Sequence, residues 1–417
     1  MPEGPEAHHC SKILNEQLAG KILEQVVIHK VKSSSSSSSS SDKLVILKVK
    51  NLEKLKLPLK IKSIYAVGKR CIISSTNNGP CLVFSFGMTG QFRFEKINHT
   101  RATFVFSSEK ETDQKEEKTT EEKTNEKTVS AATEKETTAG AADEKEEKMA
   151  STATEKETTA GAAEKINVYY DDVRNFSQMV VFKNEVSFER WRKINLGWDP
   201  LSHLVGCAGD DAKEKEKLIN MVEEKIVSAA EKKKVAASAT EEKEKPAGAE
   251  EKKTAGAAEE EKKMAGAATY KMVYGTSFRK FKSIFMDAGN NCKVAATLGD
   301  TTQSKICGIG NYLRAEILYR AGISPLRKSN SLSDEELILL LRMIKKVMYA
   351  SYIRGGHTLK SFCDPVGNKG KFKPRVYLSK FNPRDEDANV TRDIFEYPVK
   401  RVKIGSQNVY WCPYLQR

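Results

Sequence analysis

Long parts of this sequence cannot contribute to a core, and that limits everything else. Residues 107–165 are almost wholly Glu, Lys, Thr, Ala and Gly, residues 210–268 are similar, and residues 33–41 are nine serines in a row. The stretch ATEKETTAGAA beginning at Ala132 recurs at Ala153, a shift of 21 residues. Such segments bury too little apolar surface to offset chain entropy, so they are expected to be disordered or marginally helical insertions. Alternating Glu and Lys could support a solvated helix through pairs four apart, but the interspersed Gly and Thr oppose it. Setting aside 59, 59 and 9 residues leaves 290 of the 417 to build the folded body.

The same subtraction sharpens the charge. Residues 107–165 carry 17 acidic and 10 basic side chains and residues 210–268 carry 15 and 13, so the insertions sum to −9. The whole chain is +14, which leaves +23 on the body. A body that basic is matched to a polyanion, and nucleic acid is the expected partner. The eight cysteines form no C-x-x-C pair, which argues against a zinc ribbon or a disulfide framework. There is no secretory apolar region and no apolar run near 18 residues. The expectation is an intracellular protein, nuclear in a eukaryote, with reduced thiols and no membrane contact.

Apolar positions between Ala7 and Leu18 suit a helix that Gly20 stops. From Val26 to Phe106 the pattern alternates as in strands: LVILKV, RCIISS, CLVFSF, QFRF and RATFVF, with NNGP at 77–80 as a turn. INVYYDDVRNFSQMVVF resumes strand character after the first insertion, which therefore belongs at a hairpin tip. Beyond Phe188 the period is helical through FERWRKINLGWDPLSHL, SFRKFKSIFMDAGNNCKVAATL, ICGIGNYLRAEILYRAGISP and SLSDEELILLLRMIKKVMYAS. Ser333 and Glu336 form a capping box for the last. After Gly355, KPRVYLSK and a terminal hairpin return to strand. GIGN at 308–311 opens a helix whose backbone N–H groups could hold a phosphate, with Asn311 adding an amide.

The chain also begins MPEGPE, so trimming of Met1 would leave Pro2 as a terminal secondary amine. MPEGPE, GKRCII at 68–73, FGMTG at 86–90, DVRNF at 172–176, LGWDPL at 196–201 and ICGIGNYLRAEILYRAGISP at 306–325 occur in one order along nearly the whole body. In these motifs the chain resembles the formamidopyrimidine-DNA glycosylase / endonuclease VIII family of base-excision repair enzymes. The resemblance implies an α+β chain. Its parts would be a catalytic β-sandwich with an N-terminal helix over 1–185, a helix–two-turn–helix domain over 186–360, and a C-terminal finger over 361–417.

It implies roles as well. Pro2 would attack a deoxyribose C1′, since an α-amine titrates near ~7.7–8.0 and is partly neutral at physiological pH. Glu3 would be the general acid at the sugar ring oxygen, and Lys69 would assist base loss and elimination. A flipped nucleotide leaves a gap. Met88, Arg174 and Phe176 would fill it, Met as a plug, Phe as a wedge and Arg toward the widowed base. His99, Lys293 and Asn311 would contact phosphate. The usual four-cysteine zinc finger is absent, because WCPYLQ keeps only Cys412 of the expected ligands. The terminal hairpin at 394–411 therefore resembles a zincless finger, with neither metal nor cofactor expected.

The finger arginine of the family falls on Gln407, which leaves the extent of elimination open; Arg401 or Lys403 are nearby cations. The expected substrate is duplex DNA carrying oxidised or ring-opened purines or abasic sites, and the expected state is a monomer. Oxidised pyrimidines or hydantoins are the alternative substrates, and a damage-binding protein without catalysis is the alternative class. The charged insertions are candidates for recruiting protein partners.

Overall fold

The computed structural model describes residues 2–32, 44–108, 165–202, 278–289, 291–299, 306–358, 362–376, 391–393 and 397–417. The serine run, almost all of the first insertion and the whole of the second lie outside them, as does Met1.

Helix α1 (Gly4–Leu18) starts three residues before the apolar pattern does, because Pro5 suits the first turn, where its missing N–H costs nothing. Ala7, Cys10, Leu14 and Leu18 repeat at helical spacing and are all buried. The helix lies along β5 (Leu59–Val67). Asn15 Oδ1 accepts the backbone N–H of Ile64 at 2.7 Å, and Gly20, at φ +82°, donates to Ile61 O at 2.9 Å.

The strands that follow α1 are β1 (Ile22–Ile28), β2 (Lys30–Lys32), β3 (Leu44–Ile46), β4 (Lys48–Lys50), β5, β6 (Arg70–Ser75), β7 (Cys81–Ser85), β8 (Gln91–Arg93), β9 (Thr100–Ser107), β10 (Lys165–Asp171) and β11 (Gln178–Phe182). All but β2 and β3 join one sheet in the order β4-β11-β7-β6-β5-β1-β9-β10-β8. Strands β7 and β8 stand six places apart in that order, which in a flat sheet would separate them by roughly 29 Å. Yet Phe84 of β7 and Phe92 of β8 have ring centroids 4.9 Å apart, and Phe104 of β9 lies 5.5 Å from Phe84. The sheet therefore folds over on itself as a sandwich, with these rings and Tyr170 in the middle.

Strands β9 and β10 pair through Ser107 and Lys165, so the first insertion leaves from a hairpin tip, as its flanking strands suggest. The serine run leaves from another, where Lys32 pairs with Leu44. The expected strand LVILKV is two strands. Leu47 turns into the core, leaving β3 to pair with β2 while β4 pairs in parallel with β11.

Helix α2 (Glu185–Asn195), capped by Asn184 Oδ1, leads to Trp198 and Asp199. Across the second insertion come α3 (Phe278–Met286), α4 (Val294–Gly299), α5 (Asn311–Ala321) and α6 (Asp334–Ile353). The helical character expected between Phe278 and Leu298 is divided between α3 and α4, and ICGIGN stays outside α5 except for its last residue, Asn311. The capping box at Ser333 and Glu336 is present. Leu313, Ile317, Leu340, Ile344 and Val347 centre the helical core.

The C-terminal hairpin comprises β13 (Pro398–Ile404) and β14 (Gln407–Trp411), extended by the two-residue β12 (Thr391–Arg392). KPRVYLSK has no strand in its described part, 373–376. The hairpin is fixed by packing. Val409 belongs to the helical core, and Cys412, fully buried, packs with Tyr319, Val376 and Val399. Asp393 accepts the Tyr319 hydroxyl at 2.9 Å and the Tyr397 N–H at 2.9 Å. Among the described residues no three His, Cys, Asp or Glu side chains gather as a metal site, and no helix is long and apolar enough to cross a membrane.

Candidate active site

The first turn of α1 is interlocked with the loop before α5. Gly4 N donates to Gly308 O at 2.8 Å, and a Cβ on Gly4 would meet Gly308 Cα at 3.1 Å. This close approach delivers Glu3 to the start of α5. Its carboxylate accepts Gly310 N at 2.7 Å, Tyr312 N at 3.1 Å and Leu313 N at 3.3 Å. A Cβ on Gly310 would stand 2.2 Å from that carboxylate, so only glycine fits there.

These contacts correct the phosphate site expected at GIGN. The backbone donors of the helix N-terminus already hold an anion, and that anion is Glu3. The helix start does attract an acidic group, but the group comes from 307 residues upstream of Gly310. Asn311 is the first residue of α5, and its Oδ1 accepts Arg314 Nη2 at 3.0 Å.

Burial raises the Glu3 carboxyl to about 7, partly opposed by the Lys69 cation and the backbone donors. The acid is thus poised between its two forms near neutrality, which suits proton transfer. Lys69 lies between β5 and β6, after Gly68 at φ +58°. A Cβ on Gly68 would meet Cys307 Cβ at 3.0 Å, so the turn presses on the same loop that Gly4 touches. Burial lowers the Lys69 ammonium, and Glu3 and Glu6 pull it back up. Glu3 and Lys69 are therefore electrostatically coupled at one corner, Glu3 buried and Lys69 half-buried, and buried Pro2 directly precedes Glu3 in the chain.

Two groups in this corner escaped sequence reasoning. Glu6, fully buried, accepts Glu3 N at 2.8 Å, His357 N at 2.6 Å and the Tyr312 hydroxyl at 2.9 Å, and burial raises its carboxyl too. Asp199 accepts Gly68 N at 2.7 Å and lies 2.9 Å from His8 Nε2, tying α1 to the turn that carries Lys69. A second glutamate inside MPEGPE was the available signal for Glu6. Nothing local marked the pairing of His8 with a residue 191 positions away.

A separate group forms at two loop tips. Met88 follows β7 and is 39% exposed, and Phe176 lies between β10 and β11 and is 56% exposed. Arg174 Nη1 lies 3.9 Å from Met88 Sδ, and a Cβ on Gly87 would meet the Phe176 backbone at 2.7 Å. Asp172 holds both tips from beneath. It accepts the Thr89 hydroxyl at 2.5 Å, Arg174 N at 3.2 Å and Ser177 N at 2.8 Å. Fully buried Arg101 donates from Nε to Asp172 O at 2.8 Å. His99 sits under the same loop, half-buried, its carbonyl accepting Asp172 N at 3.3 Å. Lys293 is exposed at the start of α4, which Arg314 links to Asn311 through Ala295 O at 3.1 Å. Gln407 stands at the hairpin turn, and no contact among the described residues joins it to the other groups; Arg401 and Lys403 are exposed on β13.

Comparison with known proteins gives the family of the chain that carries the buried corner and the paired tips. The family model for the formamidopyrimidine-DNA glycosylase N-terminal domain matches residues 1–179, and that for the formamidopyrimidine-DNA glycosylase H2TH domain matches residues 281–363. Together they cover more than half of the sequence. The chain belongs to the formamidopyrimidine-DNA glycosylase family.

The formamidopyrimidine-DNA glycosylase of Actinobacillus pleuropneumoniae serotype 3 is 34% identical over 111 residues, 27% of this chain and 38% of that protein. That of an Exiguobacterium species is 31% identical over 115 residues, 28% of this chain and 40% of that protein. The matches thus span about two fifths of the length of these curated relatives. The solved MutM (Fpg) protein of Thermus thermophilus is similar in fold, with a TM-score of 0.56, 19% identity and coverage of 100% of this chain and 98% of that one. A Lactococcus lactis Fpg in complex with abasic-site DNA gives a TM-score of 0.53 at 14% identity, covering 100% of this chain and 99% of that one.

Proposed function

We propose that this chain is a bifunctional DNA glycosylase and abasic-site lyase that removes oxidised and ring-opened purines from duplex DNA. The observation that carries the reading is the Glu3 carboxyl, raised to about 7 and held against the start of α5 next to Pro2 and within electrostatic reach of Lys69. Removal of Met1 frees the Pro2 nitrogen. Its lone pair bonds to C1′, while Glu3 gives a proton to the ring oxygen as the sugar opens. The Pro2 nitrogen then gives up its proton, its lone pair expels the base, which takes up a proton as the glycosidic bond breaks, and a C1′ iminium on Pro2 remains. That cation acidifies C2′. Loss of the C2′ proton expels the 3′ phosphate by β-elimination, and water releases the sugar from Pro2. Lys69 serves the proton transfers of base loss and elimination.

Met88, Arg174 and Phe176 take the space of the flipped nucleotide, and the basic body, with His99, Lys293 and Asn311, follows the phosphates. The protein acts as a monomer on DNA. Gln407 supplies no cation at the finger, so a following δ-elimination depends on Arg401 or Lys403 reaching the second phosphate.

Borohydride trapping tests this directly. Duplexes carrying a formamidopyrimidine, 8-oxoguanine, an oxidised pyrimidine or a hydantoin are incubated with the Met1-trimmed protein and reductant. A covalent adduct on the purine lesions, absent in Pro2→Gly, is expected. Binding without any adduct would instead identify a damage-binding protein, and adducts confined to pyrimidine or hydantoin lesions would reassign the substrate.

A further inference from the structure

Between Arg174 and Phe176, both exposed, the chain places a half-buried asparagine. Asn175 adopts φ +53°, the left-handed region that asparagine tolerates better than most residues. This conformation reverses the local chain direction, so its neighbours point outward while its own side chain turns in. The amide nitrogen donates to Ile46 O at 3.1 Å. Ile46 ends β3, is 49% exposed, and precedes Leu47, which is buried in the sandwich core. A second brace reaches the neighbouring carbonyl. Arg101 spans from Val45 O to Val173 O, both at 3.4 Å, besides its bond to Asp172 O. Two consecutive carbonyls of β3 are thus tied to the loop that carries the tips.

We propose that Asn175 is a positioning residue that fastens the Arg174–Phe176 tip to β3, so that the tip is rigid before it meets DNA. The proposal rests on the base-flipping function above and specifies how its wedge is held. An exposed phenylalanine that must enter a base stack loses freedom on entry, and that cost falls if folding has already fixed its backbone. Asp172 fixes the start of the loop and the residue after Phe176, but the apex between them has only Asn175 as its side-chain anchor among the described residues. By the same bond the end of β3 at Ile46 lies next to the loop that carries Arg174 and Phe176.

Asn175→Gly keeps the backbone conformation and removes the amide, and Asn175→Asp keeps the size and the left-handed tolerance but cannot donate. Each is compared with the wild-type chain on a duplex that carries 2-aminopurine opposite a lesion. Its fluorescence rises when the wedge unstacks it. Single-stranded abasic DNA, which offers no partner strand to wedge, is trapped with borohydride in parallel.

Both variants are expected to slow the fluorescence rise and duplex excision about fivefold, the weight of one modest hydrogen bond, with single-strand trapping unchanged. Wild-type rates on the duplex in either variant would overturn the proposal. So would an equal loss on single-stranded DNA, which would mark general damage to the fold. A wild-type chain that forms no adduct on either DNA would count against the enzyme reading, while the fluorescence step, needing no covalent bond, would still decide the role of Asn175.

Discussion

The buried corner at Glu3 and the exposed tips at Met88 and Phe176 are built with one device used in opposite ways. In each, a carboxylate accepts backbone N–H groups: Glu3 takes those of Gly310, Tyr312 and Leu313 at the start of α5, and Asp172 takes those of Arg174 and Ser177 in its own loop. At the corner the carboxylate is the working group of the proposed reaction, and burial brings its titration to about 7. At the tips it works from below, and the reaching is done by side chains that the loop leaves in solvent. The chemistry needs a proton held in a dry place, and the wedge needs a hard backbone under a free surface.

The largest effect should come from breaking the corner. Glu3→Gln preserves the shape and removes the proton, so lesion excision should fall by about 10²-fold or more in single-turnover assays. The same substitution should change the pH dependence of stability. The Glu3 carboxyl titrates at 4.5 when unfolded and about 7 when folded, so between those values the native chain holds the extra proton. Stability therefore declines as pH rises across that window and levels off above it, by on the order of 3 kcal/mol. Chemical denaturation from acid to just above neutral pH should show the decline in the wild-type chain and a flatter profile in Glu3→Gln. Equal slopes would mean that Glu3 is not the buried acid that this geometry makes it.

Much of the layout was legible in the sequence, and what was not follows one rule. Alternation between Val26 and Phe106 gave strands such as RCIISS, CLVFSF and RATFVF, helical spacing gave Leu14 and Leu18, and Ser333 with Glu336 gave a helix start, because each is a local pattern. Pro2, Glu3 and Lys69 were reachable through motifs in a shared order. The partners of those motifs were not. That Glu3 occupies the helix start at Gly310, or that Asp199 joins His8 to Gly68, depends on contacts between residues 131 to 307 positions apart, and no period reports them. LVILKV failed for a related reason: an apolar run does not say at which residue the chain leaves one partner strand for another.

Next in size is the support under the tips. Asp172→Ala leaves the Thr89 hydroxyl and the Ser177 N–H, both buried, without their acceptor, which should cost about 2–3 kcal/mol. Thermal unfolding should record that loss, and excision should fall with it because both tips depend on the one carboxylate. A variant with wild-type stability would show that Arg101, Asn175 and Thr89 hold the loop without the carboxylate. In that case the parallel drawn between Asp172 and Glu3 would fail.

The smallest effect is the one that separates the two regions most cleanly. Phe176 is 56% exposed, so Phe176→Ala removes little that the folded protein uses, and its unfolding midpoint should stay near that of the wild-type chain. What it removes is the wedge, and excision from a duplex should fall about tenfold if stacking between bases is worth what base–aromatic contacts usually are. The deficit should shrink when the lesion sits opposite a gap, since there is then no stack to hold open. An equal deficit on both substrates would place Phe176 with the chemistry. A loss of stability in its place would make it a core residue that happens to reach the surface. Either result would dissolve the division between a corner that works by burial and a tip that works by exposure.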